Sequence, residues 1–167
     1  MSNTESRCIS CRKPTTQFTC GHCEEPLCGN CREFLDEATF SFLTSIPKEL
    51  SHRDYCSNCF ANVVEPAKQS YDETRERSKQ VYVFFNTQRA RLPILKRSNV
   101  KLVIKNCIDR DETISRLAFQ ATQMGFNAII DGDVRAEQIR NAGYQTSAWH
   151  GVGYAAEVDV VKLERIK

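Results

Sequence analysis

Apolar positions in the second half of the chain follow the two-residue period of β-strands. Residues 81–85 form the apolar run VYVFF, residues 126–130 form FNAII, and residues 100–108 alternate between apolar and polar side chains. In the alternating run, one face is expected to carry Val100, Leu102, Ile104 and Ile108. Turns are predicted at DGD (131–133) and NAG (141–143), with one or two further strands after them.

One amphipathic helix is predicted between these strands. Asp109 is a candidate N-cap with Glu112 three residues later, and Gly125 is a candidate terminator. The helix is expected to bury a stripe formed by Ile114, Leu117, Ala118, Ala121 and Met124. Residues 81–167 therefore predict an α+β domain, with a four- or five-stranded, mostly antiparallel sheet and one main helix.

The apolar pattern of the first half is weaker. Apolar residues recur at roughly helical spacing before Pro47, at Leu35, Ala38, Phe42 and Ile46. We expect this face to cover the small amino-terminal module, or in part to meet a partner or the second domain.

The segment from residue 65 to residue 80 is mostly polar and predicts a solvated connecting helix that begins near Pro66. The predicted organisation is a module over residues 1–62, a polar helical linker over 63–80 and the α+β domain over 81–167.

Cysteine changes this picture more than any other residue type. The chain has nine cysteines, and eight of them form four C-x2-C pairs within the first 59 residues, while Cys107 stands alone. The first residues lack the apolar segment of a secretory signal, and no apolar run reaches the roughly 20 residues of a membrane span, so a cytoplasmic location is expected. In a reducing compartment, four C-x2-C pairs in series are typical of metal sites rather than of disulfides or a redox motif.

Eight thiolates predict two tetrahedral four-cysteine sites, and zinc suits such sites better than the rival iron–sulfur cluster. Sequential pairing would join Cys8, Cys11, Cys20 and Cys23. Interleaved pairing would place Cys8, Cys11, Cys28 and Cys31 on the first zinc, and Cys20, Cys23, Cys56 and Cys59 on the second. The four residues 24–27 span only about 13–14 Å when extended, which makes the middle pairs a tight hairpin and favours interleaving, with two Zn²⁺ per chain.

The spacing C-x2-C-x8-C-x2-C-x4-C-x2-C-x24-C-x2-C resembles the cross-brace zinc fingers of the FYVE class over residues 7–62. The four-residue middle spacing and the closing stretch YCSNCF (55–60) carry the resemblance. It implies interleaved pairing. The family's basic phosphoinositide motif is replaced here by TQFTCGHCEE (16–25), which has no arginine or lysine.

Charge also argues against an anionic partner for this module. Residues 1–60 carry eight acidic and six basic residues, and each zinc with four thiolates adds about −2, for a total near −6. Membrane phosphoinositide and nucleic acid are therefore not expected to bind this module. A protein partner, whose identity the sequence does not give, is expected instead.

A RING-type ubiquitin ligase uses the same cross-brace and is the enzymatic alternative. It usually has a histidine ligand between its second and third ligand pairs. Here His22 adjoins Cys23, which already completes a C-x2-C pair, so His22 is interpreted as a solvent-facing residue and His52 as part of a loop.

The second half is similar to the small bacterial YbjQ-like family, which is named for heavy-metal binding. The stretches LAFQATQMGFNAII (117–130) and SAWHGVGYAAEV (147–158) carry this resemblance over residues 98–160. It implies ring-like homo-oligomers. One cysteine and one histidine in residues 61–167 are too few for a metal site within one subunit, so Cys107 is interpreted as a buried small apolar residue and His150 as structural.

A basic stretch without acidic residues runs from residue 89 to residue 107. Its candidate anion contacts are Arg89, Arg91, Lys96, Arg97 and Lys101, and Lys105 is also basic. The stretch could bind an anion, dock the acidic module, or form a solvated strand face.

No phosphate-binding loop, nucleophile elbow or cysteine–histidine nucleophile is present outside the cysteine pairs. The sequence therefore predicts a non-enzymatic zinc-binding adaptor or scaffold with a self-associating α+β domain. The alternatives are the ligase and a phosphoinositide- or anion-binding protein.

Overall fold

The chain forms two compact units, which divide between Asp72 and Glu73. The computed structural model describes residues 5–15, 17–88 and 91–166. The described part of the first unit contains two short strand pairs, and that of the second contains a four-stranded sheet.

The first unit is held by short elements. Strand β1 (Phe18–Thr19) pairs antiparallel with β2 (Pro26–Leu27), and β3 (Glu33–Phe34) pairs antiparallel with β4 (Asp54–Tyr55). A single 3-10 turn covers Lys48–Leu50. Besides cysteines, the apolar side chains buried among the described residues of this unit are Leu27, Leu35, Phe40, Leu50, Tyr55, Val64 and Tyr71. So few buried side chains make a small core, and short elements have little stability of their own.

The helical spacing of apolar residues 35–46 does not produce a helix in the structure. Successive turns cover the segment instead: the Asp36 carboxylate accepts a hydrogen bond from the Ala38 N–H at 2.7 Å, and turns continue to Leu43. An aspartate that bonds the backbone two residues onward competes with helix formation. Leu35 and Phe40 are buried as a result, while Ile46 is 42 % exposed.

A helical segment begins within the last cysteine pair, directly after Cys56. It consists of α1 (Ser57–Cys59), a π-helical turn (Phe60–Val64) and α2 (Glu65–Ser78). The linker helix is therefore present, but it is not wholly solvated. Tyr71 is buried, packs edge-on against Phe40 at 5.3 Å between ring centroids, and accepts a hydrogen bond from the Phe42 N–H at 3.0 Å.

The second unit is an α+β fold. Strands β5 (Tyr82–Phe85), β6 (Ile94–Cys107), β7 (Ala128–Asn141) and β8 (Tyr144–Val158) form a sheet in the order β5-β7-β8-β6. The β5–β7 pair is parallel and the other two pairs are antiparallel. Helix α3 (Arg110–Gln123) contributes to the core next to β6, β7 and β8, and the buried members of this core are Leu102, Ile104, Cys107, Leu117, Ala118, Ala121, Ile129 and Ala155.

Helix α3 begins and ends as its sequence predicts. The Asp109 carboxylate accepts a hydrogen bond from the Glu112 N–H at 2.7 Å, as an N-cap does. After the helix, Gly125 adopts a φ of +82°, which glycine tolerates without strain. Of the predicted stripe, Met124 is 40 % exposed and does not join the core.

Strand β6 departs from simple alternation at both ends. Its register with β8 shifts between Arg97 and Lys101 and again between Ile104 and Cys107, where Asn106 has a φ of +60°. Each shift changes which side chains face the core. Cys107 is therefore buried. Ile108 and Val100, which were both predicted to share a face with Leu102 and Ile104, are instead 83 % and 61 % exposed.

The predicted turn at 131–133 is a bulge within one long strand. Strand β7 continues through these residues, Asp131 has a φ of +53°, and the pairing with β8 shifts between Ile130 and Asp133. The predicted turn at 141–143 is correct: Ala142 and Gly143 both have positive φ and connect β7 to β8 as a two-residue hairpin loop.

Helix α4 (Val160–Arg165) was not expected from the sequence. The Asp159 carboxylate caps it by accepting from the Lys162 N–H at 3.1 Å. Leu163 of this helix belongs to a second small core with Ala128 and Val158. Among the residues described, no helix has both the length and the apolar character that crossing a bilayer requires.

The β7–β8 hairpin extends beyond the rest of the sheet. The pairing of β5 with β7 ends at Gly132, and that of β6 with β8 ends at Trp149, whereas β7 and β8 stay paired to Asn141 and Tyr144. We call residues 136–148 the ribbon. Within the described structure its two strands pair only with each other, and nearly all of its side chains are exposed.

Candidate metal centres

The eight paired cysteines form two groups in space. The sulfurs of the first group lie within 4.8 Å of one another and belong to Cys8, Cys11, Cys28 and Cys31. Those of the second group satisfy the same limit and belong to Cys20, Cys23, Cys56 and Cys59. This grouping is the interleaved one, because the first pair shares its group with the third pair rather than with the second.

One tight turn brings the two thiols of the first pair close to each other, and a second tight turn does the same for the second pair. The Arg12 N–H donates to the Cys8 carbonyl at 2.9 Å, and the Glu24 N–H donates to the Cys20 carbonyl at 3.0 Å. Arg12 and Glu24 complete these turns with φ of +64° and +61°. This left-handed conformation favours glycine and costs another residue roughly 1–2 kcal/mol, so metal binding or packing must offset it.

The sulfur spacing fits a tetrahedral metal. Cys11 Sγ lies 3.7 Å from Cys28 Sγ, and Cys23 Sγ lies 3.9 Å from Cys56 Sγ. A tetrahedron with metal–sulfur bonds of about 2.3 Å has edges of about 3.8 Å. Each group could therefore hold one metal ion with all four thiolates, compatible with a cross-brace finger.

Backbone amides stabilise one thiolate in each group. The N–H groups of Cys11 and Cys28 lower the pKa of Cys8 from 9.0 to about 6. Burial raises the pKa of Cys20, but hydrogen bonds led by the Cys56 N–H, 3.3 Å from the sulfur, outweigh burial and lower that pKa to about 7. Both thiols are thus prepared for metal binding at neutral pH.

Other thiols of the two groups retain their protons in the absence of metal. A hydrogen bond to the Cys28 sulfur raises the pKa of Cys31 to about 12. Burial, together with a hydrogen bond to Cys56, raises the pKa of Cys59. A metal that binds all four sulfurs of a group must displace these protons.

Metal affinity is therefore expected to decrease as the pH is lowered. Cys31 and Cys59 each release a proton on binding throughout the neutral range, and Cys8 and Cys20 add theirs as the pH drops through about 6 and about 7. One proton displaced per site weakens binding tenfold per pH unit, so at least about 100-fold is expected between pH 7.5 and 5.5. Competition titrations with a chromophoric chelator at both pH values measure the change, and equal affinities would contradict it.

The second group depends on close packing between the Cys20 turn and the segment before Cys56. The Gly21 N–H donates to the Asp54 carbonyl at 2.8 Å. A Cβ on Gly21 would lie 2.2 Å from His52 Cβ, an atom fixed to the backbone. Glycine is therefore needed here for the approach of two segments that both carry metal-ligating residues.

Replacing Gly21 by alanine is expected to weaken the second centre. Separating the two segments should cost about 1–3 kcal/mol, because an atom added at a tightly packed position forces its neighbours to shift, and His52 Cβ can move only with its backbone. The matched control is Gly29→Ala, at the same place in the third C-x2-C pair, where the nearest atom is Oε1 at the end of the Gln17 side chain, 3.3 Å away. Metal content under chelator competition and the melting temperature should change in Gly21→Ala much more than in Gly29→Ala.

Neither histidine of the first unit belongs to a cysteine group. His22 and His52 are exposed, and the groups of metal-binding side chains among the described residues contain cysteine alone. His22 thus lies where the sequence predicted, outside the ligand set.

Two of the basic residues in the stretch 91–105, Lys96 and Arg97, make different contacts. Lys96 lies over the Phe126 ring at 5.6 Å, while its neighbour Arg97 lies over Tyr154 at 4.8 Å and pairs with Asp131 at 2.9 Å. Adjacent strand residues point to opposite faces, which separates these two. The other predicted contacts, Arg91 and Lys101, are exposed, as is Lys105. Arg89 lies outside the described residues.

The remaining cysteine and histidine have structural contacts. Cys107 is buried in the core of the second unit. The His150 Nδ1 accepts a hydrogen bond from the Asn106 N–H at 3.3 Å, and its Nε2 lies 3.0 Å from a Glu137 carboxylate oxygen. His150 therefore supports the bulge at Asn106.

Comparison of the chain with models of protein families, with curated proteins and with solved structures found no match.

Proposed function

We propose that the chain is a non-enzymatic, zinc-binding adaptor whose cross-brace module, similar to the FYVE class, contacts a protein partner and whose α+β unit self-associates. The observation that carries the proposal is the interleaved grouping of eight cysteine sulfurs into two sets of four. Structural metal sites use all four positions for protein ligands, whereas catalytic sites keep one position open.

Zinc is the proposed metal for both groups. Soft thiolates at tetrahedral spacing suit zinc, and a module with so small a core needs the folding free energy that a structural metal supplies. A redox role of the C-x2-C pairs is less well supported, because each pair's sulfurs share a group with a second pair.

Charge supports a protein partner over a membrane or nucleic acid. The module carries a formal charge of −2 before metal and near −6 with two tetrathiolate zinc ions. Such a charge repels phosphate groups over a Debye length of roughly 8–10 Å at physiological ionic strength. A cytoplasmic location follows from the reduced thiols that zinc binding requires and is part of the proposal.

The ribbon supports self-association of the second unit, as the resemblance to the YbjQ-like family implies. A two-stranded ribbon without further partners is marginally stable in water. Its strands leave both outer edges unpaired within the described structure, and it exposes Ile139 at 39 % and Tyr144 at 78 %. Unpaired edges and apolar side chains at one end of a sheet favour docking against another copy.

Native mass spectrometry of the full chain tests both parts of the proposal. The expected result is two zinc ions per chain and a mass that is a multiple of the monomer. Ile139→Lys combined with Tyr144→Lys should yield monomer, because like charges would face each other in the interface. The matched control is Ile108→Lys, which changes a residue 83 % exposed in the same unit but outside the ribbon, and should leave the assembly intact.

Three results would overturn the proposal. Fewer than two metal ions per chain would remove the zinc module. A monomer at tens of micromolar would remove self-association. Ubiquitin transfer by the zinc-loaded chain in a reconstituted assay would replace the adaptor with the ligase.

A further inference from the structure

The first unit contains a cleft that the cysteine groups do not explain. Its volume is about 420 Å³, and its walls include His22, Glu24, Lys48, Glu49 and His52 together with Cys20 of the second metal group. This volume lies within the range of roughly 300–1,000 Å³ that small ligands occupy. Two separate segments form it, residues 19–24 and residues 48–52, which packing at Gly21 brings together.

Three charged side chains of the cleft have no partner in the part of the chain that the structure describes. Among the residues that the structure describes, no hydrogen bond or ion pair engages the side chains of Glu24, Lys48 or Glu49. The ion pairs recorded among the described residues of this unit lie outside the cleft and join Arg32 with Asp54 at 2.9 Å and Arg53 with Glu37. The cleft thus collects polar groups whose bonding capacity is open to a ligand.

The charge of the cleft selects a cation. The cleft is lined by two carboxylates, those of Glu24 and Glu49, and by one ammonium, that of Lys48. The wall at Cys20 belongs to a centre that carries about −2 when four thiolates hold zinc. The imidazoles of His22 and His52 add hydrogen-bond acceptors without adding negative charge. A phosphate would meet net repulsion, whereas an ammonium group would meet counter-charges and acceptors.

We propose that this cleft binds a primary ammonium group of a partner polypeptide, with the carboxylates of Glu24 and Glu49 as its counter-charges. An amino terminus and a lysine side chain share this chemistry. The inference rests on the proposed interaction role of the module and names the chemistry of the partner at that site.

The backbone at Glu24 provides a clean variant. Glu24 has a φ of +61°, a conformation that glycine adopts more readily, so Glu24→Gly removes the carboxylate without straining the turn. Arg12→Gly is the matched backbone control, because Arg12 holds the same conformation after the first C-x2-C pair and lies outside the cleft. Glu25→Gln is the matched charge control, since Glu25 neighbours Glu24 but does not line the cleft.

The test uses the zinc-loaded full chain, labelled with ¹⁵N and titrated with three hexapeptides of glycine and serine. The first has a free amino terminus, the second is acetylated and contains one lysine, and the third is acetylated without lysine. The amide signals of Gly21 and His22 should shift with the first or the second peptide, which identifies the source of the ammonium, and not with the third. Affinity should fall at least tenfold in Glu24→Gly and in Glu49→Gln, and stay near wild type in Arg12→Gly and Glu25→Gln.

Three outcomes would overturn the inference: no shift with either cationic peptide at millimolar concentration, equal shifts with all three, or unchanged affinity in the double variant of Glu24 and Glu49. Tighter binding of inorganic phosphate than of the peptides would also overturn it. Zinc content is measured on every sample. Two zinc ions without ammonium binding would refute this inference alone, whereas a chain without zinc would refute the proposed function.

Discussion

Removing metal from the zinc-loaded chain is expected to unfold the first unit and leave the sheet of the second unit folded. A single core in so small a module supplies only about 3–5 kcal/mol. A structural zinc contributes roughly 10–16 kcal/mol of apparent binding free energy at pH 7 in small zinc fingers. Loss of two such ions therefore exceeds the stability that the buried side chains of the first unit can supply.

Hydrogen exchange measured by mass spectrometry before and after chelation resolves the two units. Peptides that contain Leu27 and Tyr55, which are fully buried, should lose protection when metal is removed. Peptides that contain Ile129 and Ala155 should keep it, because the core around α3 contains no metal-binding group. Zinc added back should restore the first unit.

A matched variant pair separates metal from thiol effects. Cys20→Ser removes a sulfur of the second group, and Cys107→Ser removes a sulfur from the core of the second unit. The first variant should lose protection in the first unit alone, and the second should do so in the second unit alone. Full protection of the first unit in a chain shown to contain no metal would contradict the structural role.

The sulfur grouping could be anticipated in part from the spacing of the cysteines. The four residues between Cys23 and Cys28 form a tight hairpin that leads to two different ions, which both ways of pairing require. The interleaved choice depended on the resemblance of the whole spacing to cross-brace fingers. Helix α3 was predictable, since its cap at Asp109 and its terminator Gly125 act locally.

Features set by tertiary contacts could not be anticipated. The apolar spacing of residues 35–46 is typical of a helix, but in a unit this small the chain follows its turns and strand pairs rather than its own propensity. The core contains Cys107 in place of the predicted Ile108. This change of face depends on the left-handed backbone of Asn106, which the apolar period of the sequence does not reveal. A signal for α4 was present in the cap at Asp159, four residues before Leu163.

The cleft in the first unit was missed because its walls come from two distant segments. His22 and His52 were each interpreted as isolated residues, and nothing in their spacing joins them. The two segments meet at Gly21, where the absence of a side chain allows His52 to approach closely. Sites assembled in this way become visible only when the packing is known.

Two double variants are expected to differ sharply in metal content although each removes two cysteines. The double variant Cys8→Ser with Cys31→Ser removes two of the four sulfurs of the first group and leaves the second group complete. Cys8→Ser with Cys23→Ser takes one sulfur from each group and leaves two incomplete sites. Under competition from a chelator, the first variant should retain one metal ion per chain and the second should retain close to none, because loss of one thiolate from a four-thiolate site strongly weakens binding.

The same pair of variants discriminates between the two ways of pairing the cysteines. If Cys8, Cys11, Cys20 and Cys23 shared one ion, the results would be reversed: Cys8→Ser with Cys23→Ser would retain one ion, and Cys8→Ser with Cys31→Ser would lose both. Absorption of the cobalt-substituted chain reports four-thiolate coordination independently of the metal count. Cys107→Ser should retain two ions, since its sulfur lies in the core of the second unit. A reversed order of the two double variants would therefore refute the interleaved centres, whatever metal they hold.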